Sequence, residues 1–146
     1  MEILTTRFGP VAVAMQDRVD FPRGLVGIPQ LKRFVLIPDP QLASLLWLQS
    51  AREPSWALAM IEPRRVVPTY QVRTAPEQLK SLQIADPGEI EVWVALNRTT
   101  QSFTANLQAP ILINRRRSVG LQLVLSDTRY LVRYEIDCLP SLRKCA

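Results

Sequence analysis

Thr104-Ala105-Asn106-Leu107-Gln108-Ala109-Pro110-Ile111-Leu112-Ile113-Asn114 carries the strongest architectural signal in the chain. It reads as a strand end, a turn and a new strand. Asn106 forms turns readily, because its side chain bonds nearby backbone and it tolerates a left-handed conformation. Ala105 and Ala109 are small enough for close backbone approach. Pro110 lacks an N–H and suits the first position of a strand. Ile111–Ile113 is an apolar run of the kind a buried strand requires.

The same grammar extends outward. Arg115-Arg116-Arg117 separates the strand predicted over 109–114 from one over 119–125, where Val119, Leu121, Leu123 and Leu125 recur at every second position. Such a period of two buries one face of a strand. Tyr130, Val132, Tyr134 and Ile136 repeat it, and so do Ile90, Val92, Val94 and Leu96, against Glu91, Trp93 and Ala95. Nearer the N-terminus, strands over 3–7 and 11–15 flank a hairpin turn at Phe8-Gly9-Pro10. A strand over 33–37 stops at Pro38-Asp39-Pro40. Strands over 45–50 and 56–61 flank Ala51-Arg52-Glu53-Pro54. The best helix spans Pro76–Gln83, with Thr74 as N-cap, Glu77 as its capping-box partner, and Leu79 and Leu82 on one face. A short helical turn near Gln41–Leu45 competes with a strand reading. Twelve prolines oppose long helices. These signals predict an all-β fold: a compact antiparallel, partly closed β-barrel with one short helix near residues 76–83.

At 146 residues the chain fits one domain, predicted over 1–137, followed by a tail over 138–146. Apolar residues make up 47% and charged residues 21%, the balance of an ordinary globule. The longest apolar stretch, 42–48, is far shorter than the ~20 residues of a membrane helix. Met1–Arg7 lacks a basic segment followed by an apolar one, so no secretory signal is expected and the expected location is the cytoplasm. Cys138 and Cys145 are the two cysteines, and with no histidine in the chain no mixed Cys/His metal site can be assembled. No cofactor or metal is expected.

Three further segments complete a pattern with the first. They are Phe21-Pro22-Arg23-Gly24-Leu25-Val26-Gly27-Ile28 running into Leu31–Leu36, then Trp47-Leu48-Gln49-Ser50, and near the start Arg7-Phe8-Gly9. In content, order and spacing these resemble the bacterial flagellar assembly factor (FliW) family, over roughly Ile3 to Ile136. The resemblance implies a non-enzymatic, chaperone-like protein-binding module with two partners. One is CsrA, an RNA-binding regulator that blocks translation of flagellin mRNA; the other is flagellin. Free flagellin sequesters the factor; once flagellin is exported, the factor binds CsrA and lifts the repression. Typical members are acidic, whereas this chain carries a net charge of +5. The acidic residues that bear on a partner are then local, with Glu62, Asp86, Glu89 and Glu91 as candidates.

The residues argue against an enzyme independently. Histidine, the commonest general acid/base, is missing, and there is no nucleophile elbow or phosphate-binding glycine loop. Glu89 and Glu91 lie on one side of a strand, a carboxylate pair read as a solvated face. Cys138 lacks a base. Trp47, Trp56 and Trp93 read as core or rim packing. The arginine loop reads mainly as a solvated hairpin loop, since no RNA-binding strand, GXXG loop or aromatic ladder accompanies it. The alternative reading is a small basic RNA-associated β domain, resting on charge and Arg115–Arg117 alone; otherwise no direct nucleic acid, membrane or small-molecule substrate is expected. Candidate partner-binding residues are Gln49 and Ser50 at a strand end, Glu62, Tyr70 and Gln71 around the proline-punctuated stretch 63–68, and Asn106 and Gln108 in the turn.

Overall fold

The computed structural model describes residues 2–100, 102–127 and 129–136. The expected tail and both cysteines lie outside the described residues.

The chain is all-β, with β1 (Glu2–Thr5), β2 (Gly9–Ala12), β3 (Arg18–Asp20), β4 (Arg33–Pro38), β5 (Leu45–Ser50), β6 (Ala57–Ile61), β7 (Ile90–Arg98), β8 (Phe103–Ala105), β9 (Ile111–Asn114), β10 (Val119–Gln122) and β11 (Tyr134–Ile136). Strands β3–β4–β5–β6–β7–β9–β10 hydrogen-bond in a ring, because β7 pairs with β9 and β10 returns to β3. The barrel is therefore closed rather than partly closed. All its ladders are antiparallel except the β3–β10 contact, a single parallel Val119–Asp20 pair. Closure removes the unpaired edges that would otherwise template aggregation. Strands β8 and β11 extend the sheet outward from β7, and the β1–β2 hairpin stands as a separate two-stranded sheet.

Phe21, Phe34, Leu36, Leu46, Leu48, Met60, Trp93, Ile111 and Ile113 fill the barrel. A second apolar layer lies outside it, built from Leu45, Ile61, Tyr70, Val94, Leu96, Leu107, Leu125 and Ile136. The hairpin covers another sector of the outer wall, where Ile3 and Val13 pack on Val35. Strand β7 thus has apolar contacts on both faces, and Trp93, Val94, Ala95 and Leu96 are all buried. The alternation expected to give it one wet face gives instead one face for the barrel and one for the outer layer.

Several boundaries move for identifiable reasons. The first hairpin turns at residues 6–8, and Gly9 and Pro10 belong to β2, paired with Thr5 and Leu4. Thr5 fixes that turn, its hydroxyl donating to the Gly9 carbonyl (2.9 Å) and accepting the Phe8 N–H (2.8 Å). The helix is a 3₁₀-helix over Pro76–Leu82, stopped by Gln83 at φ 52°. A three-residue turn puts Leu79 and Leu82 on one side. Ala75, not Thr74, precedes it, and Gln78, not Glu77, reaches back to accept the Ala75 N–H (3.2 Å). Near Gln41–Leu45 a turn replaces the helical reading: the Asp39 carboxylate accepts the N–H groups of Gln41 and Leu42 at 2.9 and 2.8 Å. Strand β10 ends at Gln122, yet the Leu123 and Leu125 N–H groups still bond the Pro110 and Gln108 carbonyls. Residues 130–133 stay outside β11.

Two glycines explain the 21–29 segment. Gly24 has φ +66°, and a Cβ there would lie 2.4 Å from the Pro29 carbonyl oxygen. Gly120, in β10, lies against the Phe21 ring, 2.4 Å from where a Cβ would sit. Phe21 is fully buried and packs edge-on against Phe34, ring centroids 5.3 Å apart, so it cannot yield. Gly120→Ala is expected to destabilise the protein by about 1–3 kcal/mol through overpacking. Urea denaturation measures this. Combining it with Phe21→Leu should recover part of the loss, since the two sites touch.

Candidate functional site

A groove of about 670 Å³ opens between the 62–79 segment and the outer wall of β7 and β9. Glu62, Arg64, Tyr70, Thr74 and Glu91 line it, with Val92 and Leu112 at its base. The 62–79 segment is irregular because of its prolines. Pro63 starts a single 3₁₀ turn, Pro63–Arg65, and Tyr70 follows a tight turn closed by its N–H on the Val67 carbonyl (2.9 Å).

Tyr70 is the hub. It is only 2% exposed, and its hydroxyl donates to the Leu107 carbonyl (2.7 Å) in the 104–114 stretch. Its ring lies 4.5 Å from that of Tyr130. Arg64 Nε donates to its carbonyl (3.0 Å). The Tyr130 hydroxyl in turn accepts the N–H of Gln71 (2.9 Å). Burial, and then the neighbouring Tyr130, push the Tyr70 phenol well above the usual tyrosine range.

The expected site residues thus divide. Tyr70, Gln71, Asn106 and Gln108 converge around Leu107, and Glu62 stands exposed on the groove rim, ion-paired with Arg65 (3.5 Å). Gln71 is exposed; Asn106 and Gln108 are half-buried. Asn106 Oδ1 accepts the N–H groups of Gln108 and Ala109, both at 3.2 Å, so its side chain builds the turn. Gln49 and Ser50 sit elsewhere. Gln49 pairs with Ala57 at one end of the β5–β6 ladder, and Glu62 follows the Leu45–Ile61 pair at the other. Both Gln49 and Ser50 are buried. The Ser50 hydroxyl accepts the N–H groups of Arg52 (3.1 Å) and Glu53 (2.9 Å), while Gln49 Nε2 donates to the Ser50 carbonyl (3.1 Å). They hold the 51–54 turn from inside. Tyr70 likewise serves packing, not open contact.

The arginine loop joins β9 to β10, and two of its cations are engaged. Arg115 Nε lies 2.6 Å from Glu91, and Arg116 lies 3.4 Å from Glu89. Glu91 also accepts from Trp93 Nε1 (3.2 Å). The Glu89/Glu91 face is therefore an ion-pair surface and not a free carboxylate pair. Trp47 is half-buried at the rim: its indole N–H donates to Asp39 (2.8 Å), and the Arg7 guanidinium lies 4.3 Å from its ring. Burial alone would raise the Asp39 pKa, but the bonds from Trp47, Gln41 and Leu42 and the nearby Arg7 hold it below the usual value.

Arg64, Leu107, Tyr130 and Asn114 also build this region, though none was among the expected partner-binding residues. Asn114 is fully buried, and its side-chain amide donates to the Leu82 carbonyl (2.8 Å), tying the 3₁₀-helix to the barrel. The only local signal was a polar residue ending an apolar run.

Residues 2–136 match the family described as FliW protein. The chain belongs to the FliW family of flagellar assembly factors. It is 32% identical to the flagellar assembly factor FliW of Moorella thermoacetica, over 93% of this chain and 88% of that one. It is 33% identical to that of Syntrophus aciditrophicus, over 93% and 87%. A crystal structure of the flagellar assembly factor FliW superposes with a TM-score of 0.84 at 31% identity, covering 92% of this chain and 96% of that chain. FliW-family membership agrees with the closed barrel and gives the chain a role in flagellar assembly. Among the described residues, no helix is long and apolar enough to cross a membrane.

Tyr70→Phe removes the bond to Leu107 and is expected to cost about 0.5–1.5 kcal/mol of stability. Because the folded chain holds the phenol neutral, the unfolded chain ionises first as pH rises. The stabilisation is complete below pH 10 and declines above it. Denaturation across that range should show a shallower alkaline decline in Tyr70→Phe.

Proposed function

We propose that this chain is a non-enzymatic, cytoplasmic partner switch, which binds CsrA to relieve repression of flagellin mRNA and is itself sequestered by flagellin. Membership of the flagellar assembly factor family along residues 2–136 is the observation that carries the reading. A regulator of this kind needs a rigid frame presenting accessible polar side chains, not a catalytic constellation. The polar rim of Glu62, Gln71 and the half-buried Gln108, shaped by the Asn106 turn and seated on the Tyr70 hub, meets that need and is our choice of CsrA-binding surface. Gln49 and Ser50, expected alongside them, lie at the far end of the β5–β6 ladder and fix the 51–54 turn. The tilt toward protein rather than RNA rests on Arg115 and Arg116 already having carboxylate partners.

Titration calorimetry with purified CsrA and flagellin tests the proposal. Each should bind, and flagellin should displace CsrA. Glu62→Arg with Gln71→Ala should weaken CsrA binding by roughly 2 kcal/mol, the scale of interface hot spots. Arg116→Ala should change it by less than about 0.5 kcal/mol, as exposed substitutions do. Loss of binding in the arginine variant alone would move the interface to the loop. No CsrA binding, together with salt-steep RNA binding, would replace the switch by the RNA-associated reading.

A further inference from the structure

A second cleft, of about 710 Å³, lies on the outer wall between β1 and the β3–β4 ladder, beside the 51–54 turn. Arg18, Lys32, Arg33 and Arg52 line it, against the two carboxylates of Glu2 and Asp20. Among the described residues none of the four cationic side chains has an ion pair or a hydrogen bond, unlike Arg65, Arg115, Arg116 and Arg129. Lys32, Arg33 and Arg52 are exposed and Arg18 is half-buried.

The backbone beneath these cations is fixed. The Phe21 N–H donates to the Lys32 carbonyl (2.7 Å), and the Ala51 N–H to the Arg33 carbonyl (2.9 Å). The buried Ser50 hydroxyl accepts the Arg52 N–H (3.1 Å). Arg18 faces Val35 and Arg33 faces Asp20 across the β3–β4 ladder. Four cations against two carboxylates leave the cleft net positive on a rigid frame, and that potential favours an anionic occupant. The volume falls within the ~300–1,000 Å³ of ordinary binding clefts.

We propose that this cleft docks an acidic, extended segment of a protein partner. Three of the four cations are arginines, whose planar forks suit carboxylates in bidentate geometry. Glu2 and Asp20 oppose a uniform polyanion but tolerate a peptide in which acidic and neutral side chains alternate. The one aromatic lining the cleft, Phe34, is 1% exposed, so no ring is offered to stack a nucleobase. The site lies away from the Glu62 groove and does not depend on the identity of the partner bound there.

The probe is a short fluorescein-labelled peptide with glutamate at alternate positions, alongside its glutamine counterpart and a single-stranded RNA of similar length, titrated at physiological salt. The glutamate peptide should bind and the glutamine peptide should not. Amide resonance shifts should cluster at residues 18–20, 30–35 and 51–52. Arg33→Glu with Arg52→Glu should weaken peptide binding by more than about tenfold, because like charges across an interface are strongly unfavourable. Arg117→Glu with Lys80→Glu alters net charge equally and should stay within about twofold, as substitutions remote from a contact do. Thermal denaturation of both double variants checks that each is folded. Equal loss in the two variants, no peptide binding, or tighter and salt-steeper binding of the RNA would each overturn the assignment.

Discussion

Everything in this fold depends on β7 being shared. Its C-terminal half pairs with β8, Leu96 to Ala105, and its N-terminal half with β9, Trp93 to Ile111. Between those two pairs β7 advances only through Val94 and Ala95, while the partner chain makes the excursion 106–110. That surplus lets one segment leave the outer flap and re-enter the sheet as the strand that closes the barrel. Asn106 makes the departure: its N–H stays on the Ala95 carbonyl (3.0 Å) while its side chain gathers the next turn. Leu107, at the apex, is handed to the outer layer, where the Leu131 carbonyl accepts its N–H (2.9 Å) and its own carbonyl receives Tyr70. Closure and the second apolar layer are thus consequences of one turn.

This constraint also separates what was legible in the sequence from what was not. The β4, β5 and β6 strands were readable nearly to the residue, because the proline-bearing turns that bound them are local signals. The double burial of β7 was not. Alternation reports that neighbouring residues differ, not that both sides meet other layers, and Trp93 and Val94 are buried against different clusters. The same limit applied to the candidate site. Gln49, Ser50 and Tyr70 are polar groups near turns, which is the usual mark of an open surface. Tyr70 is drawn inward by a contact remote in sequence, its bond to Leu107 spanning 37 positions, and no window along the chain carries that information, while Gln49 and Ser50 turn inward onto the local 51–54 turn.

Composition was misleading in a similar way. A net charge of +5 left the arginine triplet, the densest cationic run, as the basis of the RNA-associated alternative. Density along a sequence is not density of uncompensated charge in space. Arg115 and Arg116 face carboxylates that β7 and the segment preceding it bring beneath the loop, while Arg18, Arg33 and Arg52 line one cleft with Lys32, outnumber its two carboxylates and, among the described residues, form no ion pair.

Several residues that carry the family resemblance offer no free side chain to a partner. Phe21 and Leu107 are buried, Gly24 is held by its backbone geometry and the proximity of Pro29, and Asn106 spends its side chain on its own turn. Each answers a demand of the barrel: a ring to fill it, a position where a Cβ would collide, a turn that frees β9. Since these demands involve no surface charge, selection can hold the architecture while the exterior changes sign. A basic exterior is then compatible with FliW-family membership. The barrel's internal demands are met by buried rings, close backbone approaches and one turn, and they leave the cations and carboxylates of the exterior free to vary.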